Sequence, residues 1–177
     1  MAVPRDARAE GRAYQQRLLA LLGKDDPATV MELTEPLLRT VLNDAAADLR
    51  KRPKPGEWSV VELLGHLVDA ETVISARFRW TISQDDPPLL GYDQDRWVAR
   101  LRHNDDQPEK LLAVFSALRA ANLRLWQRSS DDDRQRVGMH AERGPESYEL
   151  MFRMIAGHDR FHLNQMRETL RQVRAES

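Results

Sequence analysis

The chain has 177 residues, 41% of them hydrophobic and 31% charged, with 27 Lys plus Arg against 28 Asp plus Glu. That length suits one domain with a core of its own, and a net charge of −1 excludes the basic footprint by which proteins hold nucleic acid. No apolar run reaches the roughly 18 residues of a membrane span, and the charged opening MAVPRDARAEGR does not read as a signal peptide. The expectation is therefore a cytoplasmic protein with no membrane and no nucleic-acid partner. Cys is absent, which excludes disulfides, thiolate ligands and cysteine nucleophiles. Any metal must then be held by His and carboxylates, and any thiol must come from outside.

Apolar residues recur at helical spacing and strand-length alternation is absent, which predicts an all-α fold. Residues 1–24 read as an N-terminal arm or short helix, from about Arg8 to Leu22, with Leu18, Leu19, Leu21 and Leu22 on one side and Gly23 as its stop. Residues 25–177 read as one domain. Asp26 as N-cap and Pro27 in the first helical position start a helix that carries Val30, Leu33, Leu37, Leu38, Val41 and Leu42 to about Leu49. Ser59 and Glu62 have capping-box spacing, with Trp58 as the outer half of a hydrophobic staple, and open a helix from about Val60 to Ile82.

From Pro87 to Asp106 runs a long connection with a short helix over residues 93–101, longer than antiparallel neighbours need, which points to a crossover. The third long helix, from Pro108 to about Arg128, takes Asp106 as its N-cap. Ser129 to Arg143 reads as polar connection, and the last helix starts near Pro145, after Gly144, and runs to about Val173. Four long amphipathic helices and one long connection predict a four-helix bundle that is not simply up-and-down.

Five histidines are present: His66, His103, His140, His158 and His162. His158 and His162 are four apart in GHDRFHLNQ, so on a helix their imidazoles reach one point. Chance alone places about 0.14 such pairs in a chain with this histidine content. They continue the inward line of Met151, Met154 and Ile155, and His66 shares a face with Leu63, Ala70 and Val73, so a third imidazole can meet the pair. Three His with open positions suit zinc, and equally nickel or ferrous iron; the alternative is three ordinary hydrogen-bonded histidines.

Among the other candidates, His103 between Arg102 and Asn104-Asp105-Asp106 reads as a solvated loop residue. His140 reads as a surface residue, or as a proton carrier at the mouth of the site. Asp69 and Gln165 are placed to orient ligand imidazoles, whereas Glu62 is taken by the cap and Asp159 points to water. Tyr92, Trp97 and Arg100 can roof the open coordination positions or pack on the core. Arg77, Arg79, Arg96 and Arg100 form a basic flank able to receive an acidic thiol or substrate, or serve as surface charge.

The segments GEWSVVELLGHLVDAE (residues 56–71) and GHDRFHLNQ (residues 157–165) together resemble the DinB-like family of metal-dependent four-helix bundles. The residues that carry the resemblance are Trp58, Ser59, His66, His158 and His162, in that order and separation. It implies a bundle with a long crossover, a divalent metal on the three His, and frequent homodimers, for which the leucine-rich arm offers a surface. Better-understood members are transferases or isomerases that use a low-molecular-weight thiol; others have no settled reaction. The expected function is accordingly a divalent-metal-binding protein, an enzyme of thiol transferase, isomerase or hydrolase type acting on a small molecule. The alternative is a non-catalytic metal-binding stress-response bundle. An enzyme should keep open coordination sites beside a cavity; a brace should be closed by a fourth protein ligand such as His140 or a carboxylate.

Overall fold

The computed structural model describes residues 5–175; residues 1–4 and 176–177, the outer ends of the expected arm and domain, lie outside it. Helix α1 spans Arg5–Leu22. Helix α2 (Pro27–Ala45) opens with the Asp26 carboxylate accepting the Thr29 N–H at 2.8 Å. It stops short of the expected Leu49 because residues 46–48 tighten into a 3-10 turn; Ala45, Ala46 and Ala47 include no breaker, so periodicity overran the end. Helix α3 (Val60–Ser83) shows both capping-box bonds, the Glu62 N–H to Ser59 Oγ at 3.2 Å and the Ser59 N–H to Glu62 Oε2 at 2.9 Å. Trp58 packs against the cluster that contains Leu63, as a staple should.

Strand β1 (Pro88–Leu89) and helix α4 (Gln94–Leu101), capped by Asp93, occupy the long connection. Helix α5 (Pro108–Arg128) has Gln107 in the cap position instead of Asp106, whose carboxylate is engaged by His103. The stretch after it is not plain connection. It holds helix α6 (Asp131–Gln135) and strands β2 (Val137–His140) and β3 (Gly144–Ser147). β2 pairs antiparallel with β3 and parallel with β1, in the order β1-β2-β3.

Pro145 lies opposite Met139 on edge strand β3, where the missing N–H costs nothing. Helix α7 (Tyr148–Ala175) therefore starts later than expected, with Ser147 Oγ accepting the Leu150 N–H at 3.1 Å. Strands of two to four residues are too short to show alternation, which is why the sequence pattern contained no trace of this sheet.

α2, α3, α5 and α7 form the bundle, packing around it in the order α2, α5, α3, α7. α2 is thus diagonal to α3, and α5 to α7, so the chain crosses the bundle at those two connections, while α3 and α5, at the ends of the longest one, are neighbours. α1 lies along α7. Leu18 O sits 2.0 Å from where a Cβ on Gly157 would stand, so this close approach requires glycine in mid-helix. Leu18 and Leu22 are buried there, while Leu19 and Leu21 are half-buried.

The apolar core falls into two clusters, one around Leu38, Leu64, Phe115 and Met166, the other around Met31, Phe78, Tyr148 and Phe152. A polar layer of one side chain from each bundle helix also crosses the interior: Thr34, Glu71, Arg119 and Asp159. Arg119 donates to Glu71 at 3.1 and 2.8 Å, to Asp159 at 2.6 and 3.1 Å and to Met31 O at 3.0 Å, and Thr34 Oγ1 donates to Asp159 at 2.8 Å. The expectation that Asp159 points to water is corrected, since it is fully buried as one of Arg119's two counterions. No helix among the described residues is long and apolar enough to cross a membrane.

Candidate metal centre

His66 projects from α3 and His158 and His162 from successive turns of α7, its bundle neighbour, all three buried. Their Nε2 atoms converge: His66 lies 3.1 Å from His158 and 3.2 Å from His162. A single proton on His66 Nε2 can serve only one of these contacts. His162 Nδ1–H donates to Gln165 Oε1 at 2.8 Å, which leaves its Nε2 as a bare lone pair. A tetrahedral cation with Zn–N bonds of about 2.0–2.1 Å holds its nitrogens about 3.3 Å apart, so the donor set fits such an ion. The ligand atoms all fall within 4.8 Å of one another, and among the described residues no carboxylate or fourth His joins them.

Burial keeps the three imidazoles neutral. It pushes His66 down to about 3, helped by His162 and His103, and His162 down to about 4, partly opposed by Gln165. His158 is driven well below the usual histidine value by burial, then by His162, His66 and Arg119. Neutral, lone-pair-bearing imidazoles are the form that binds metals. A cavity of about 750 Å³ opens on two of them. One wall is the α3 stripe His66, Ala70, Val73, Ile74 and Arg77, the facing one Met151, Met154, Ile155 and His158 of α7, with Tyr14 and Leu18 of α1 on a third side.

The sequence profile of the DinB superfamily matches residues 29–166, a span that includes all three histidines. The chain belongs to the DinB superfamily. Two Oceanobacillus iheyensis proteins that carry the provisional name of metal-dependent hydrolase are similar to it, one 26% identical over 76% of this chain and 77% of its own length, the other 21% identical over 69% of each. A similarly named Geobacillus thermodenitrificans protein is 23% identical over 62% of each chain. Among solved structures, YfiT from Bacillus subtilis, described as a probable metal-dependent hydrolase with an unusual four-helix bundle topology, superposes with a TM-score of 0.77. It is 21% identical and the match covers 84% of this chain and 86% of that one, a likeness of fold.

Around this DinB-superfamily site several expected roles are revised. His103 is buried: Nε2 meets Asp69 Oδ2 at 2.8 Å and Nδ1 meets Asp106 Oδ2 at 2.9 Å. The Asp69 hydrogen bond, then that of Asp106, raises it above the usual histidine value against the cost of burial. Its ring lies where a Cβ on Gly65 would stand, 2.3 Å away, so glycine beside His66 is what admits it. Its polar neighbours in the sequence concealed this, because partners 34 residues away have no local signature. Asp69 consequently serves His103 and not His66; the Nδ1 atoms of His66 and His158 have no hydrogen-bond partner among the described residues. Gln165 does orient His162 as expected, and Glu62 is held by the cap and by Arg52.

His140 is also buried, not on the surface, and its Nδ1 accepts the N–H groups of Glu142 and Arg143 at 3.2 and 3.3 Å. Of the three roofing candidates, Tyr92 is in the cavity wall, Trp97 backs it with ring centroids 4.6 Å apart, and Arg100 is exposed on α4 outside the wall. Of the basic flank, Arg77 is buried in the wall, Arg79 is tied to Ser75 O and Asn122, and Arg96 is exposed. Sequence reasoning missed Tyr14, Arg143 and the fully buried Glu146 of this wall, which come from the arm and from the β2–β3 hairpin.

Proposed function

We propose that this chain is a metal-dependent enzyme acting on a small molecule, with His66, His158 and His162 holding a divalent ion through their Nε2 atoms. The observation that carries this reading is the convergence of three buried, neutral imidazoles, unclosed by a fourth protein ligand among the described residues, at the end of a ligand-sized cavity. The names of the relatives, which call them metal-dependent hydrolases, support it. When bound, such an ion supplies positive charge that lowers the pKa of a water or a thiol and polarises an electrophile.

The chain's own side chains do the rest. Gln165 fixes the His162 tautomer so that Nε2 faces the site. Met151, Met154, Ile155 and Ile74 make the wall beside His66 and His158 apolar, which lowers the local dielectric and strengthens charge interactions there. Because Cys is absent, a thiol co-substrate would enter through the cavity. Zinc, nickel and ferrous iron all suit three imidazoles, and elemental analysis of purified protein decides among them.

His158→Ala and His162→Ala should each lose most of the bound metal, with Arg96→Gln unchanged; equal metal content in all of them removes the site. Titrating the metal-loaded protein with low-molecular-weight thiols tests the transferase form. A change in the spectrum of a cobalt-substituted site supports it, and the absence of both spectral change and heat leaves water as the nucleophile. The family resemblance also leads us to propose a homodimer, which light scattering over a range of concentrations tests; a monomer mass throughout rejects it.

A further inference from the structure

The end of the cavity away from the histidines holds two buried donors that the metal chemistry does not use. Arg77 is 7% exposed and His140 4%. The Arg77 Nη2 donates to Leu90 O, but Arg77 Nε has no hydrogen-bond partner among the described residues, nor does Arg77 have an ion-pairing carboxylate there. His140 Nδ1 accepts two backbone N–H groups, so the imidazole's proton lies on Nε2, which is likewise unpartnered and lies 3.9 Å from where a Cβ on Gly91 would stand. Both residues and Gly91 line the cavity, the two unpartnered nitrogens themselves being closed to solvent in the unliganded protein. The neighbouring charges cancel, since Arg143 is held by Glu146 through Nη2 at 3.0 Å and through Nε. Of the charged groups that line this cavity, Glu10, Asp93 and Glu142 are exposed, while the buried Arg77 and Glu146 and the half-buried Arg143 sum to +1, Glu146 being engaged by Arg143.

A pair that only donates, one member of it cationic, recognises a group that only accepts and is anionic. Arg77 lies eleven residues beyond His66 on α3, which turns it by only about 20° from His66 and places it about 16 Å further along the helix. The residues between them on that face, Ala70, Val73 and Ile74, are apolar and line the cavity. We propose that Arg77 and His140 form a carboxylate-binding subsite, and that the cavity takes an elongated small molecule with a carboxylate at this end, an apolar middle and its reacting group toward the histidines. This deepens the reading above by naming the substrate class and rests on it only for the word substrate, because the subsite shares no residue with the metal ligands.

The test is a calorimetric titration of the full-length protein as purified with straight-chain carboxylates from butyrate to decanoate, and with primary alcohols of the same lengths. The acids should bind about tenfold tighter than the matching alcohols, with an optimum length. Arg77→Gln should abolish the preference and His140→Phe weaken it, with metal content unchanged, while Arg96→Gln keeps it. Because a buried substitution can disturb folding, the ¹⁵N resonances of Arg77 Nε–H and His140 Nε2–H in the unaltered protein are a second measurement. They should shift on adding the acid and stay still with the alcohol. Equal binding of acid and alcohol, unmoved resonances, or a preference that survives in folded Arg77→Gln overturns the subsite; the last result would put the carboxylate on the metal instead. Protein with no bound metal but an intact, Arg77-dependent preference for acids would overturn the metal enzyme and leave the subsite standing.

Discussion

Replacing Arg119 with Met is the most demanding test of how this bundle is held together. Arg119 is 3% exposed and donates five hydrogen bonds, four of them to the carboxylates of Glu71 and Asp159, which are themselves fully buried. Methionine fills similar space and leaves two buried carboxylates facing one another without a cation. Breaking a buried ion pair from one side costs about 3–5 kcal/mol, which for a chain of this length lowers Tm by roughly 10 °C. Urea denaturation followed by circular dichroism reads the loss directly.

The pH dependence is the sharper arm of the same experiment. Burial already raises the Asp159 carboxyl above its ordinary 3.8, and Arg119 is what pulls it down. Without Arg119 it rises further, so the penalty is full at neutral pH and fades as pH falls toward the unfolded value. A variant within about 1 kcal/mol of the parent at neutral pH, or a deficit that stays constant as the solution is acidified, would refute the reasoning.

Gln165→Leu should leave the fold intact and weaken metal binding by about 10- to 100-fold, read by competition with a chelator, since it removes the acceptor that orients His162. His103 has a folded-state value above 6.5, so its pairing with Asp69 stabilises fully below that pH and fades as pH rises through the folded value. The stability difference between the parent and Asp69→Asn should accordingly be larger at about pH 6 than at about pH 9, and a reversed trend contradicts a charged His103. Gly157→Ala sets a Cβ against Leu18 O and should detach α1 from α7, costing about 2 kcal/mol and exposing α1 to proteolysis.

Local chemistry was legible in the sequence and long-range chemistry was not. The Asp26 and Ser59 caps, the α4 segment and the four bundle helices all follow from spacing and cap residues within a turn or two. The His158–His162 pair is local in the same sense, and His66 was found because its helical face could be read. Asp159 and His103 were misjudged for one reason: their polar neighbours suggested solvent, while the partners that make burial tolerable, Arg119 and Asp69, come from other helices. A buried ion pair separated by 40 residues leaves no periodic mark on either element. That the bundle is not simply up-and-down was legible from the long connection, but the places of crossing were not: the chain crosses between α2 and α3 and between α5 and α7, and not between α3 and α5, since loop length does not say which helices become neighbours.

The position of α1 bears on which stretches of the chain build the cavity. The span that matches the family profile, residues 29–166, contains every candidate metal ligand, whereas Tyr14 and Leu18, which close one side of the cavity, belong to a helix before that span. One side of the cavity is thus supplied from outside the stretch that carries the three histidines and the rest of the wall. Exchanging residues 5–22 for another amphipathic helix that still fits against Gly157 would reshape that side of the cavity without touching an imidazole.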